Sequence, residues 1–184
     1  MKKLIFVYGF KGNSNQAKIA KSIFSDYNFL IFNYDSNLNQ SIEEIAEELN
    51  NFICKNTLPK EKVYLMGVSA GGIICSYFSK FINPKKVIAL GTICAPFNGT
   101  YVPIFYSKKL GGLQELKYHS SLLKKIKYSK SKIKEINFYS YFDILVPGKS
   151  GASKNAVHTS KFFHFTIHNN KQILNKIKIF FESK

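Results

Sequence analysis

Apolar residues fall into two patterns along this chain: short unbroken runs, and longer stretches in which they recur every three or four positions. The runs are Leu4 to Tyr8, Phe29 to Phe32, Val63 to Met66, Val87 to Leu90 and Ile136 to Phe142, with Ala156 to Phe163 supplying part of a sixth. Runs of this length, stopped by Gly9 or by Asn33-Tyr34-Asp35-Ser36-Asn37, predict buried strands. Between them, Ser14 to Phe24 carries Ala17, Ile19, Ala20, Ile23 and Phe24 at mostly helical spacing. A second helix is expected with Ile42, Ile45, Ala46, Leu49, Phe52 and Ile53 on one face and Glu43, Glu44, Glu47 and Glu48 mostly on the other, opened by a Ser41/Glu44 capping box. A third covers Gly72 to Phe81 and stops at Asn83-Pro84; Leu122, Leu123 and Ile126 mark a fourth; Ile173, Leu174, Ile177 and Phe180 mark a closing one. Residues 94 to 117, with Pro96, Gly99, Pro103, Gly111 and Gly112, read as irregular.

Six strands alternating with helices predict an α/β fold: parallel strands joined by right-handed crossovers, with helices on both faces of the sheet. The 184 residues suit a single domain, 1–184, able to bury roughly 70% of its unfolded surface. No linker, internal repeat or low-complexity block divides it. Met1-Lys2-Lys3 is basic, but no small-residue cleavage site follows the first apolar run, so no secretory signal is expected. No stretch approaches the ~18 apolar residues of a transmembrane segment. The expected location is cytoplasmic.

One strand junction carries chemistry. Gly67-Val68-Ser69-Ala70-Gly71 follows the run Val63 to Met66 and precedes the apolar stretch Ile73 to Phe78. A Gly-x-Ser-x-Gly turn between strand and helix holds serine in a strained backbone, and its small neighbours let the two elements approach while the hydroxyl points outward. Ser69 is therefore the candidate nucleophile. The competing reading of such a pentapeptide is a packed glycine turn, against which the strand before and helix after it argue.

Serine needs a base to activate it, and the base needs an acid to orient it. In strand-turn-helix sites of this kind the chain order is Ser, Asp, His. Asp143, at the end of the fifth strand, is the only acid between Glu135 and Glu182. Of four histidines, His119 precedes Asp143 and His158 falls within the sixth strand. His164 and His168 remain, in the connection before the last helix, with His164 favoured. If the strands take the order 2-1-3-4-5-6, strands one and three are neighbours at the switch point, which brings the backbone N–H of Phe10 beside that of Ala70 as an oxyanion hole.

Composition changes the picture only in part. Cys54, Cys75 and Cys94 are too widely spaced for a disulfide framework or a zinc site and are expected to be buried thiols. The formal net charge is +16, yet all 27 basic residues are lysine. Without the planar guanidinium fork of arginine, no nucleic-acid partner is expected. Residues 108 to 134 hold nine lysines against one acid, Glu115. That excess is read either as a solvated face or as an attraction for an acyl carrier or an anionic lipid headgroup near the site.

These features together resemble the α/β-hydrolase superfamily, and within it the small lipases and the GPI-inositol-deacylase-like group. Ala95-Pro96-Phe97-Asn98-Gly99-Thr100 is similar to their Pro-x-x-Gly-Ser segment, and Leu113 to Leu123, with Ser120-Ser121, to the Leu-x-x-x-Ser stretch after it. Asp143-Ile144-Leu145-Val146 is similar to their Asp-x-x-Val, and His164-Phe165-Thr166-Ile167 to their His-(apolar)-x-(apolar), which favours His164 over His168. Where they have His-Gly after the first strand, this chain has Tyr8-Gly9. The resemblance implies a minimal α/β hydrolase, a six-stranded, mainly parallel sheet in the order 2-1-3-4-5-6, cleaving small carboxylic esters through an acyl-enzyme. Ser69, Asp143 and His164 would be catalytic, Phe10 and Ala70 would hold the oxyanion, and no metal or cofactor is called for. The rival readings are a thioesterase or acyltransferase working on an acyl carrier, and a noncatalytic binding protein that keeps the fold.

Overall fold

The structure, a computed structural model, describes residues 1–151, 156–159 and 164–183. Six strands, β1 (Lys3–Val7), β2 (Asn28–Ile31), β3 (Val63–Val68), β4 (Val87–Ile93), β5 (Lys134–Ser140) and β6 (Ala156–Thr159), form one sheet in the order β2-β1-β3-β4-β5-β6. Every pairing is parallel, as the alternation of patterns predicts. The helices are α1 (Lys18–Ile23), α2 (Ile42–Asn56), α3 (Ala70–Tyr77), the single turn α4 (Gly111–Gln114), α5 (Ser121–Tyr128), the single turns α6 (Gly148–Gly151) and α7 (His164–Ile167), and α8 (Lys171–Glu182). Among the described residues no helix is long and apolar enough to cross a membrane.

Successive side chains of a strand point to opposite faces, so an unbroken apolar run feeds two cores. Ile5, Val7, Val63 and Leu65 pack on one face with Ile42, Ile45, Leu49 and Ile53 of α2, Ile73, Ile74 and Tyr77 of α3, and Leu122, Leu123 and Ile126 of α5. Leu4, Phe6, Tyr64 and Met66 pack on the other with Ala20 of α1 and Ile173, Leu174, Ile177 and Phe181 of α8. Each such side chain gives about 1.5–3 kcal/mol over its exposed state. Helix α2 starts as expected: the Ser41 hydroxyl accepts the Glu44 N–H, and the Glu44 carboxylate accepts the Ser41 N–H at 2.8 Å.

Boundaries differ from the sequence expectation in a few places. The first helix is split into a 3-10 turn, Ser14–Ala17, and α1. Helix α3 starts at Ala70, earlier than the periodicity suggested, and ends in a π turn, Phe78–Ile82. The fifth strand stops at Ser140, where the Ser140 hydroxyl accepts the Phe142 N–H at 3.2 Å and turns the chain. Tyr141 and Phe142 are consequently exposed, and Asp143 lies in a loop, not on a strand end. Of the expected sixth strand, residues 160–163 lie outside the described residues. Cys75 and Cys94 are buried, but Cys54 is exposed, because it sits on the solvent side of α2.

Helix α3 lies so close to the sheet that a side chain at Gly71 would collide with the backbone oxygens of Val7 and Tyr8, and one at Gly67 would come within 2.5 Å of the Gly72 Cα. Neither neighbour is a flexible side-chain end. Gly71→Ala is therefore expected to destabilise the fold by about 3 kcal/mol, lowering the melting temperature by roughly 6–12 °C. Thermal unfolding followed by circular dichroism checks this, and a curve superimposable on wild type would refute the close contact.

Candidate active site

The strands end on one edge of the sheet, and each expected site residue follows one of those ends. After β3 the chain reverses at Ser69, a non-glycine residue in the left-handed region with φ 52 and ψ −124. Such a backbone costs on the order of 1–3 kcal/mol and persists only where its surroundings impose it. Here the Ser69 N–H donates to the Ile93 carbonyl at 2.8 Å, and the Gly72 N–H donates to the Ser69 carbonyl at 2.9 Å. The loop after β1 lies directly against this turn: a Cβ on Gly9 would sit 2.9 Å from the Ser69 Cβ.

That loop is braced by a feature the sequence did not advertise. Tyr34, after β2, donates its phenol to the Tyr8 carbonyl at 2.8 Å, and its own N–H donates to the Tyr8 phenol oxygen at 3.1 Å. The two rings stack with centroids 5.0 Å apart. Burial, then the neighbouring Tyr8, push the Tyr34 phenol well above its ordinary pKa. The Lys11 N–H donates to Ser36 and the Gly12 N–H to Gly9, while the Phe10 N–H has no acceptor among the described residues. The Ala70 N–H opens α3, where the first amides of a helix have no partner within it.

Asp143 is buried and its two carboxylate oxygens are divided between tasks. One accepts the N–H groups of Leu145 at 3.0 Å and Val146 at 2.8 Å; the other lies 2.7 Å from His164 Nδ1. The loop that holds it is tied across to residues 98–100: the Thr100 hydroxyl donates to the Leu145 carbonyl, the Ser150 hydroxyl to the Gly99 carbonyl, and the Asn98 N–H to the Ser150 carbonyl at 3.0 Å. His164 stands on the single turn α7, and His168 follows that turn, buried.

Ser69, Ala70, Phe10, His164 and His168 all line one cavity of about 390 Å³, whose walls are mostly apolar: Tyr101, Val102, Phe105, Tyr106, Leu113, Leu116 and Ile144. Asp143 lies behind His164, at the hydrogen bond to its ring. His158 packs instead against the Tyr141 ring, centroids 4.2 Å apart, and His119 against Tyr118. A larger hollow of about 700 Å³, over β4, β5 and α5, contains none of the candidate residues.

Two further groups adjoin the pair. Cys94 follows β4 in a left-handed backbone, φ 50, and its buried thiol faces the Asp143 carboxylate. Burial above all, and then the Asp143 charge, push that thiol far up in pKa and keep it protonated. The Cys94 sulfur, an Asp143 oxygen and a His164 ring nitrogen lie within 4.8 Å of one another, the group among the described residues that could hold a metal ion. Wide sequence spacing hides this meeting, since the three residues arrive from the ends of three different strands. For His168, burial first and the charge of His164 second lower the pKa below the ordinary histidine value.

The lysine-rich segment divides. Lys108 and Lys109 are exposed two and three residues after Tyr106, a wall of the cavity, whereas Lys125 reaches over the Tyr77 and Phe81 rings, Lys127 binds Asn98, and Lys134 binds Ser183. Three of the nine lysines are thus committed elsewhere on the surface.

No family model matches the sequence, and no curated protein matches it. Solved structures do match in shape. A monoacylglycerol lipase of Paleococcus ferrophilus is 12% identical with a TM-score of 0.72, covering 97% of this chain and 93% of its own. MGS-MChE2, an α/β hydrolase from a lagoon-sediment metagenome, is 18% identical with a TM-score of 0.72, covering 99% and 91%. The Bacillus licheniformis lipase BlEst2 is 18% identical with a TM-score of 0.72, covering 97% and 91%. Likeness at these identities is one of architecture, and together with the strand order and the turn at Ser69 it establishes that this chain has the α/β-hydrolase fold.

Proposed function

We propose that this protein is a serine hydrolase cleaving carboxylic esters through an acyl-enzyme. The observation that carries the reading is the Asp143–His164 pair, 2.7 Å apart, opening on the cavity that Ser69 lines from its left-handed turn. Ser69 Oγ attacks the ester carbonyl carbon while His164 Nε2 takes its proton; the Nδ1–H stays donated to Asp143, whose charge steadies the imidazolium. The carbonyl electron pair moves onto oxygen, toward the N–H groups of Phe10 and Ala70. Collapse expels the alcohol, which takes the proton from His164. Water then repeats the sequence on the acyl-enzyme and releases the acid. No step needs a metal or cofactor.

A cavity of about 390 Å³ with apolar walls suits a small-molecule ester with an apolar acyl or alcohol part. The neighbours in shape include a monoacylglycerol lipase and a second lipase, which supports the same class of chemistry.

Ser69→Ala is expected to lower turnover of a p-nitrophenyl ester by about 10⁴-fold or more, and to lose labelling by a fluorophosphonate, with the circular dichroism spectrum unchanged. His164→Ala should lose comparable activity, whereas His168→Ala should stay within about tenfold of wild type. Equal losses at both histidines would refute the assignment of the base.

His168 also predicts a pH dependence of stability. Its folded pKa is lowered, so below an ordinary histidine value of about 6.5 the unfolded chain binds a proton that the folded chain refuses. Stability contributed by neutral His168 is whole above that pH, falls as pH drops below it, and is lost once pH passes the folded value. Denaturant unfolding of wild type and His168→Gln between pH 7.5 and about 5 should show the variant with the shallower decline; parallel curves would contradict it.

A further inference from the structure

The mouth of the Ser69 cavity is ringed by apolar side chains that a dissolved ester has no use for. Phe105 is 81% exposed, Ile144 76% and Ile104 66%, with Tyr101 and Tyr106 exposed beside them. Most belong to one short projection, built on the 3-10 turn Val102–Phe105. Cations stand at its edge: Lys108 and Lys109 follow it, and Lys11 approaches across the mouth, its Nζ 4.6 Å above the Tyr106 ring and 3.3 Å from the Tyr106 phenol oxygen. No acid occurs among residues 1–25 or 95–114. The next one, Glu115, is turned inward to accept the Ile42 N–H at 2.7 Å.

We infer that this rim is a docking face for an anionic lipid bilayer, seating the cavity mouth against the membrane so that acyl esters reach Ser69 from the lipid phase. Protruding aromatic and aliphatic groups enter the headgroup boundary, and lysine stems lie along it with their ammonium groups toward lipid phosphates. The charge of the rim selects an anionic surface over a neutral one. An acidic protein would meet the same lysines, but a flat protein epitope gives no reason for unpaired side chains as exposed as Phe105 and Ile144. The inference rests on the hydrolase reading for its purpose, while its test does not.

The chain contains no tryptophan, so Ile104→Trp, at an exposed position outside the cavity lining, makes a single reporter. Built on the Ser69→Ala background, it should show a blue-shifted emission with phosphatidylglycerol-containing vesicles and none with pure phosphatidylcholine vesicles. In co-sedimentation with the same vesicles, Lys108→Glu/Lys109→Glu and Ile104→Glu should each partition about tenfold more weakly or worse. On the Ser69 background these variants should turn over a soluble short-chain ester as wild type does. Absent binding, equal binding to neutral vesicles, or variants that bind unchanged would each overturn the docking face. So would salt-sensitive binding to an acidic carrier protein without vesicle binding. Vesicle binding by a wild type that cleaves no ester would sink the hydrolase reading and leave the docking face standing; ester turnover without vesicle binding would do the reverse.

Discussion

The reversal of the chain at Ser69 is the constraint on which the rest of the site depends. A left-handed serine between β3 and α3 holds only because α3 can press against β3 and the end of β1, which requires bare backbone at Gly67 and at Gly71 respectively, and because Ile93 at the end of β4 accepts the Ser69 N–H. The same approach sets Gly9 against Ser69. Parallel strands then bring the loops after β1, β4, β5 and β6 to the same edge. The placement of five candidate residues thus reduces to one tight junction and a strand order.

How much of this was legible follows from how local each signal is. The strands were readable because fully buried parallel strands give unbroken apolar runs, and α2 because its charge and apolar faces separate cleanly. Ser69 was readable since its glycines stand within two residues. Asp143 and His164 were singled out as candidates from chain order and short patterns, and their 2.7 Å approach is a relation across 21 residues that no periodicity encodes. The end of the fifth strand was missed because the apolar run continues through Tyr141 and Phe142, which the fold leaves in solvent. Tyr34 and Cys94 were missed for a similar reason: a stop signal after β2 and a cysteine after β4 look ordinary until the sheet sets them beside Tyr8 and Asp143.

The buried surroundings of the Asp143–His164 pair are kept short of competing charge. Cys94 is held as a thiol, chiefly by burial, and His168 resists protonation for the same reason. A carboxylate taken out of water interacts strongly with whatever charge is near it. With Cys94 neutral beside the carboxylate and His168 neutral near His164, that influence falls on the one imidazole the carboxylate touches, while the backbone N–H groups of Leu145 and Val146 hold the carboxylate in a single orientation.

The brace beneath the Phe10 loop joins two phenols, one of them at the place after the first strand where the hydrolases that the sequence resembles carry a histidine. An imidazole there changes its charge near neutrality, whereas Tyr34 keeps its proton far beyond the usual tyrosine range. The hydrogen bond that the Tyr34 phenol donates to the Tyr8 carbonyl therefore goes on fastening the loop that faces Ser69 beyond the pH at which an ordinary phenol ionises.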